Sequence, residues 1–210
     1  DQFLIDNLYP RLAKYVAGDE CKVELDAASS VDLSDPQHIK FELKTGIMWS
    51  GGYGELTAED VEFSYERHMD PDLESGVATE YALLEDVEVT GTYTGIIHLS
   101  APSTTFWTST MVYTSGAIIS KKAAEEAGGY FEGTPVATAS PYMLGEYEPG
   151  NKMVLVRDPG WTGETGDFDE IVLLPIPDEN AGELAFVAGE IDYTRTSPLN
   201  YDNLAANPPA

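Results

Sequence analysis

Residues 134–161 read TPVATASPYMLGEYEPGNKMVLVRDPGW, and the way this stretch turns decides the fold. Thr138 to Pro141 is small and turn-forming. Tyr142 to Tyr147 is an extended run, and Lys152 to Val156 alternates polar with apolar side chains, as a half-buried strand does. Between them Glu148, Pro149, Gly150 and Asn151 carry turn chemistry, with proline fixing φ and glycine accepting the positive φ that other residues resist. Asp158-Pro159-Gly160 closes the second strand. The stretch is predicted to be a loop, a strand, a turn and a second strand.

Outward from it, Phe168 to Ile176 alternates into a further strand, and Pro177 to Asn180 opens a helix that runs to Ala188 with Gly189 as C-cap. Residues 201–210 read as a loose tail. On the other side Gly128-Gly129 is a break, and Ser120 caps a short helix from Lys121 to Ala127. Val87–Val89 and Gly95–Leu99 read as a hairpin, and Tyr81 to Leu84 as a short helix. Thr57 to Met69 is the clearest helix, with Thr57 as cap, Asp60 near its positive end and Asp70-Pro71 as its stop. The glycine-rich loop from Thr45 to Leu56 is no phosphate cradle, because it lacks the GK[ST] ending and follows no buried parallel strand. In His38–Leu43, Ile39, Phe41 and Leu43 share one face of a strand, and Val23 to Val31 reads as another strand. Phe3 to Tyr9 has helical spacing and is ended by Pro10.

The 210 residues suit one large or two small domains, and the 42% apolar content gives them a core to bury. No apolar run is long enough to cross a bilayer as a helix, so no direct membrane insertion is expected. No signal peptide opens the chain, and the start at Asp1 reads as a processed or truncated N-terminus. The net charge of −26 repels nucleic-acid phosphates and anionic lipid. Cys21 is the single cysteine, so no internal disulfide is expected. His38, His68 and His98 lie far apart with no HxxH or HExxH spacing, and each reads as a surface residue of a strand or helix. No metal and no cofactor are expected.

Several motifs follow in one order. Phe41 to Trp49 and Thr57 to Arg67 read FELKTGIMW and TAEDVEFSYER, Ile118 to Ala123 reads IISKKA, and 134–142 reads TPVATASPY. Phe168 to Asp192 contains FDEI, IPD and GEID. This set resembles the extracytoplasmic solute-binding proteins of peptide and nickel ABC importers (the dipeptide/oligopeptide-binding type of family 5). The family patterns are FxLRxGVKF with TAEDVxFSxxR, IVPKxA, NPVGTGPYKL followed by RNPxYW, and LDEIVxxxIPDxxAxxxALxAGEID. Ala137 and Ala139 stand where the family loop has glycines. The resemblance covers residues 3–200.

The resemblance implies an α/β fold: the first lobe of a periplasmic-binding-protein-like fold (type II, cluster C), with mixed sheets and flanking helices. Family members are about twice as long, so the second lobe is expected to be absent. Residues 16–130 are expected as one α/β subdomain, and residues 1–15 with 131–200 as a ligand-facing subdomain near a hinge. The implied activity is binding, not catalysis. The ligand is a short peptide or similar small polar solute, the partner is the membrane permease of an ABC importer, and the location is periplasmic or at the outer surface. Glu59, Asp60 and Arg67 are structural in the family. Three segments border its cleft, and they correspond here to Gln2 and Phe3, to Tyr113, Thr114 and Ser115, and to Thr138, Ala139 and Ser140. Trp107 is a weaker candidate that also suits a core position.

Two competing readings stand beside this one. A hydrolase would use Ser64, Ser115 or Ser140, but no GxSxG elbow surrounds any of them. A half-receptor or scaffold binding a protein partner would show an exposed apolar patch. One expectation follows from charge alone. Screening relieves self-repulsion, so the melting temperature is expected to rise from low to molar sodium chloride, with a neutral osmolyte as the parallel control. A flat response would refute it.

Overall fold

The computed structural model describes residues 2–16, 18–129, 134 and 136–206, with the backbone alone at Gln2, Glu20, Cys21 and Asn203. In chain order the elements are α1 (Gln2–Leu8), β1 (Ala13–Val16), β2 (Asp19–Leu25), β3 (Ala28–Asp32), β4 (His38–Leu43), β5 (Met48–Trp49), β6 (Gly54–Glu55) and α2 (Ala58–Glu66). They continue with β7 (Leu84–Gly91), β8 (Thr94–Leu99), α3 (Lys121–Glu126), β9 (Tyr142–Glu148), β10 (Lys152–Arg157), β11 (Glu170–Leu173), α4 (Glu179–Val187) and α5 (Pro198–Ala206).

Period-two alternation builds the central sheet, which is antiparallel in the order β3-β4-β8-β7. Ile39, Phe41 and Leu43 of β4, Ile97 and Leu99 of β8, and Leu84 and Val87 of β7 all point into one core. α2 covers this face with Val61 and Tyr65, both fully buried. Burying each such side chain stabilises the fold by about 1.5–3 kcal/mol. Asp60 is the fixing point at the start of α2. Its carboxylate accepts from the Thr57 amide at 2.9 Å, from the Lys121 amide at 2.8 Å and from the Trp49 indole at 3.3 Å. One buried side chain thereby ties α2, the first turn of α3 and β5 together, which is the structural role expected for it.

The stretch quoted first forms β9 and β10, with Gly150 at φ 74° in the turn between them. β11 lies beside β10 in the order β11-β10-β9. Elsewhere several expectations are corrected. Val23–Val31 is two strands, because the Asp26 and Ala27 amides turn away to the Leu12 and Arg11 carbonyls at 3.0 and 2.7 Å. The glycine-rich loop holds the short pair β5 and β6. Leu84 begins a strand instead of ending a helix, since it pairs with Leu99. Phe106–Met111 is a wide (π) helical turn. β11 is confined to Glu170–Leu173.

Packing divides the chain into two units, Asp1–Gly145 with Leu155–Ile171, and Glu146–Val154 with Val172–Ala210. Within the first unit β1 pairs with β2. Residues 201–206, expected in a loose tail, belong to α5, and 207–210 lie outside the described residues. The physical reason is a cap. The Glu183 carboxylate accepts from the Thr196 hydroxyl at 2.5 Å, the Ser197 amide at 3.0 Å and the Asn200 amide group at 2.6 Å. Pro198 at the first position suits the helix start. Among the described residues no helix is long and apolar enough to cross a membrane.

Candidate functional site

Two of the three expected site segments, around Tyr113 and at Thr138–Ser140, meet the stretch from the C-terminal end of α1 to Tyr15, whereas Phe3 lies at the start of α1. Leu8 is fully buried and its carbonyl accepts from the Ala139 amide at 3.1 Å. The Asn7 carbonyl accepts from the Ser140 hydroxyl, and the Pro10 carbonyl accepts from the Ile118 amide at 2.8 Å. Buried Arg11 donates to the Val112 carbonyl at 3.4 Å and pairs with the Asp6 carboxylate. Its burial pulls the guanidinium pKa down, opposed by the Asp26 charge. The Tyr15 ring meets the Tyr113 ring edge-on at 5.2 Å, and the Tyr15 hydroxyl donates to the Thr108 carbonyl at 2.8 Å. Segments more than a hundred residues apart in sequence are thus joined through one short N-terminal stretch.

Burial separates these residues into two groups. Thr138 is locked to Ser50: its carbonyl accepts from the Ser50 amide at 2.7 Å and its amide donates to the Ser50 hydroxyl at 2.9 Å. The two hydroxyls lie 3.0 Å apart. Ser140 also bonds the Tyr142 backbone, and Ala139 is buried. Among the described residues only Glu74 combines a side chain with positive φ, so Ala137 and Ala139 are held without backbone strain. Ser115 donates to the Thr110 carbonyl at 3.1 Å, and its own carbonyl accepts from the Tyr81 hydroxyl at 2.6 Å. Trp107 is only 7% exposed and fills core. The open group is Phe3 at 41%, Tyr113 at 42% and half-buried Thr114. The side chain of Gln2 lies outside the described residues.

Sequence reasoning missed a cavity that Thr114 helps to line. It holds about 280 Å³ and is lined by Ile5, Tyr9, Arg67, Thr114, Ala117 and Ile119 among others. The Arg67 guanidinium lies over the Phe63 ring at 5.7 Å, its Nε is unpartnered, and burial lowers its pKa. Burial pushes the Tyr9 phenol up. Burial, with the Arg67 charge, lowers His68 to about 4, and its Nδ1 lies 2.7 Å from the Ser75 hydroxyl. No spacing rule links α1 to the end of α2, so this wall had no local signal.

The serines considered for hydrolysis are built into the fold. Ser64 donates to the Asp60 carbonyl at 2.6 Å and accepts from the Ile119 amide at 2.8 Å. Among the described residues, Ser64, Ser115 and Ser140 hydrogen-bond backbone groups and not a histidine or carboxylate side chain. Among the described residues no group of three or more His, Cys, Asp or Glu is gathered as a metal site.

The family model for bacterial extracellular solute-binding proteins, family 5 Middle, matches residues 22–209. The chain is 28% identical over 208 residues to the Probable D,D-dipeptide-binding periplasmic protein DdpA of Escherichia coli K12, covering 93% of this chain and 39% of that one. It is 25% identical over 202 residues to the oligopeptide-binding protein AppA of Bacillus subtilis 168, covering 92% and 36%. Among solved structures, the solute-binding protein MoaA of A. tumefaciens R10 with mannopinic acid superposes with TM-score 0.85 at 27% identity, over 99% of this chain and 43% of that one. The chain therefore spans about two-fifths of the length of the relatives it matches, and its fold is that of one lobe of a periplasmic binding protein.

Proposed function

Because this chain belongs to the bacterial extracellular solute-binding proteins of family 5, we propose that it is the N-terminal lobe of a substrate-binding component that serves an ABC importer. The observation that carries this reading is the family match over residues 22–209. The ligand is a short peptide or a comparable small polar solute, and the partner is the importer's membrane permease. The place of work is the periplasm or outer surface. The chain performs no chemistry in this reading. It contributes one wall of a clamp whose other wall closes over the solute.

Two features support this. Tyr113 and Thr114 offer an aromatic face and a hydroxyl beside the C-terminal end of α1, Phe3 offers a second aromatic face at the start of that helix, and the buried hydroxyls of Ser115, Thr138 and Ser140 hold the loops behind them. In the second unit Val172, Leu174, Leu184, Val187, Tyr193 and Leu199 are all exposed, Leu199 to 93%. Exposed apolar side chains of this kind suit packing against a second lobe and equally suit the protein partner of the half-receptor reading, so the peptide titration below separates the two.

One lobe leaves half of the ligand wet, so affinity is expected to be weak. Calorimetric and NMR titration with di- to pentapeptides is expected to give a Kd of roughly 0.1 mM or weaker, with shifts centred on Tyr113 and Thr114 that Tyr113→Ala removes. Submicromolar affinity would overturn the single-lobe reading. Absence of any response to such peptides at about 10 mM would overturn the solute-binding reading.

A further inference from the structure

His38 and His98 are 60 residues apart in sequence, yet the sheet sets them side by side. They are register partners on β4 and β8. The Leu99 amide donates to the Gln37 carbonyl at 2.9 Å, which makes the neighbouring 37–99 pair the hydrogen-bonded one. The His38–His98 pair is then a non-hydrogen-bonded pair, the kind that brings opposite side chains closest. The two rings meet with centroids 5.2 Å apart, on the outer face of the sheet, at 46% and 23% side-chain exposure.

Each ring also has a carboxylate behind it. His38 Nδ1 lies 2.9 Å from Asp35 Oδ2, and His98 Nε2 lies 3.2 Å from Glu88 Oε2. The Gln37 amide and then His38 hold the Asp35 carboxyl below its usual range. A carboxylate at one ring nitrogen keeps the proton there and leaves the lone pair on the other, which is how metal-binding imidazoles are commonly oriented. The nitrogens so freed are His38 Nε2 and His98 Nδ1.

We propose that His38 and His98 form a two-histidine chelate for a borderline divalent transition-metal ion, Zn²⁺ or Cu²⁺, on the outer face of β4 and β8. Imidazole donors select such ions over Mg²⁺ and Ca²⁺. With bonds of about 2.05 Å, an ion sits about 3.2 Å from each ring centre, and a tetrahedral angle then separates the centres by about 5 Å. The observed spacing is the same. Asp86, the other register neighbour of His98, adds negative charge beside the site. Two protein donors leave the remaining positions to water, so the site is open and exchangeable.

The test is a Zn²⁺ titration of the 210-residue chain against a competing indicator, in excess Mg²⁺ to occupy diffuse carboxylate sites. The expected result is one Zn²⁺ per chain. H38N and H98N each remove it, and E88Q weakens it roughly tenfold through the orienting carboxylate. A readout free of any variant is Cu²⁺ broadening of amide signals, expected around residues 38 and 98. Zn²⁺ uptake unchanged in both histidine variants, no stoichiometric uptake by the parent, or broadening centred elsewhere would each overturn the proposal.

Discussion

Gly116→Ala is expected to lower the unfolding free energy by about 3 kcal/mol or more, a shift of roughly 6–12 °C in melting temperature for a chain of this size. The added methyl would lie 2.2 Å from the Met111 carbonyl oxygen and 2.6 Å from its carbon. Both are backbone atoms of a fully buried residue in the wide helical turn, so no flexible side chain can swing aside. The Gly116 carbonyl also accepts from the Tyr65 hydroxyl at 3.4 Å, inside the core beneath α2. Relief of the clash must therefore move the segment that carries Tyr113 and Thr114. Gly128→Ala is the control. It has open space around it but φ at 89°, so it costs only torsional strain, about 1 kcal/mol. Denaturant unfolding of the two variants measures the contrast. A Gly116→Ala cost below about 1 kcal/mol would show that the turn yields.

Asp60→Ala is expected to cost a similar amount, about 3 kcal/mol, for an electrostatic reason. Its loss strands the Thr57 and Lys121 amides and the Trp49 indole, three donors that the carboxylate serves from a buried position. Asn is a poor replacement. One carboxylate oxygen accepts from Lys121 and the other from Thr57 and Trp49, so an NH₂ group on either side faces a donor. Asp60→Asn is therefore expected to recover less than half of the loss. Urea unfolding of both variants checks this, and an Asp60→Ala midpoint equal to that of the parent would refute it.

Asp60 also marks how far the sequence could be read. Asp60 follows a capping threonine, so its helix-start role was legible. Its partner Lys121 lies 61 residues on, and nothing local announces that bond. β4 was legible because Ile39, Phe41 and Leu43 alternate and the sheet buries one face. The break between β2 and β3 was not, because partners in the Arg11–Leu12 segment create it. The helical turn at Phe106–Met111 went unseen, since FWTSTM has no helical period and is rich in β-branched and aromatic residues. For the site, the segments came from family resemblance, whereas the burial of Ser115, Thr138 and Ser140 follows from long-range packing. The pairing of His38 with His98 depends on strand register, which residue spacing does not carry.

The junction at the end of α1 has a consequence for the order of assembly. Arg11 finds Val112 101 residues later, and Asn7 finds Ser140 133 residues later. During synthesis these early residues emerge long before their partners exist, while β4, β7, β8 and α2 can already close on one another. Helix α1 is therefore made well before its partners and is among the last segments to dock, since its contacts carry a larger loop-closure entropy than those of the sheet. Mild loosening of the Thr138–Ser140 loop should then release α1 ahead of the core. Protease cutting before residue 10 would be its earliest sign.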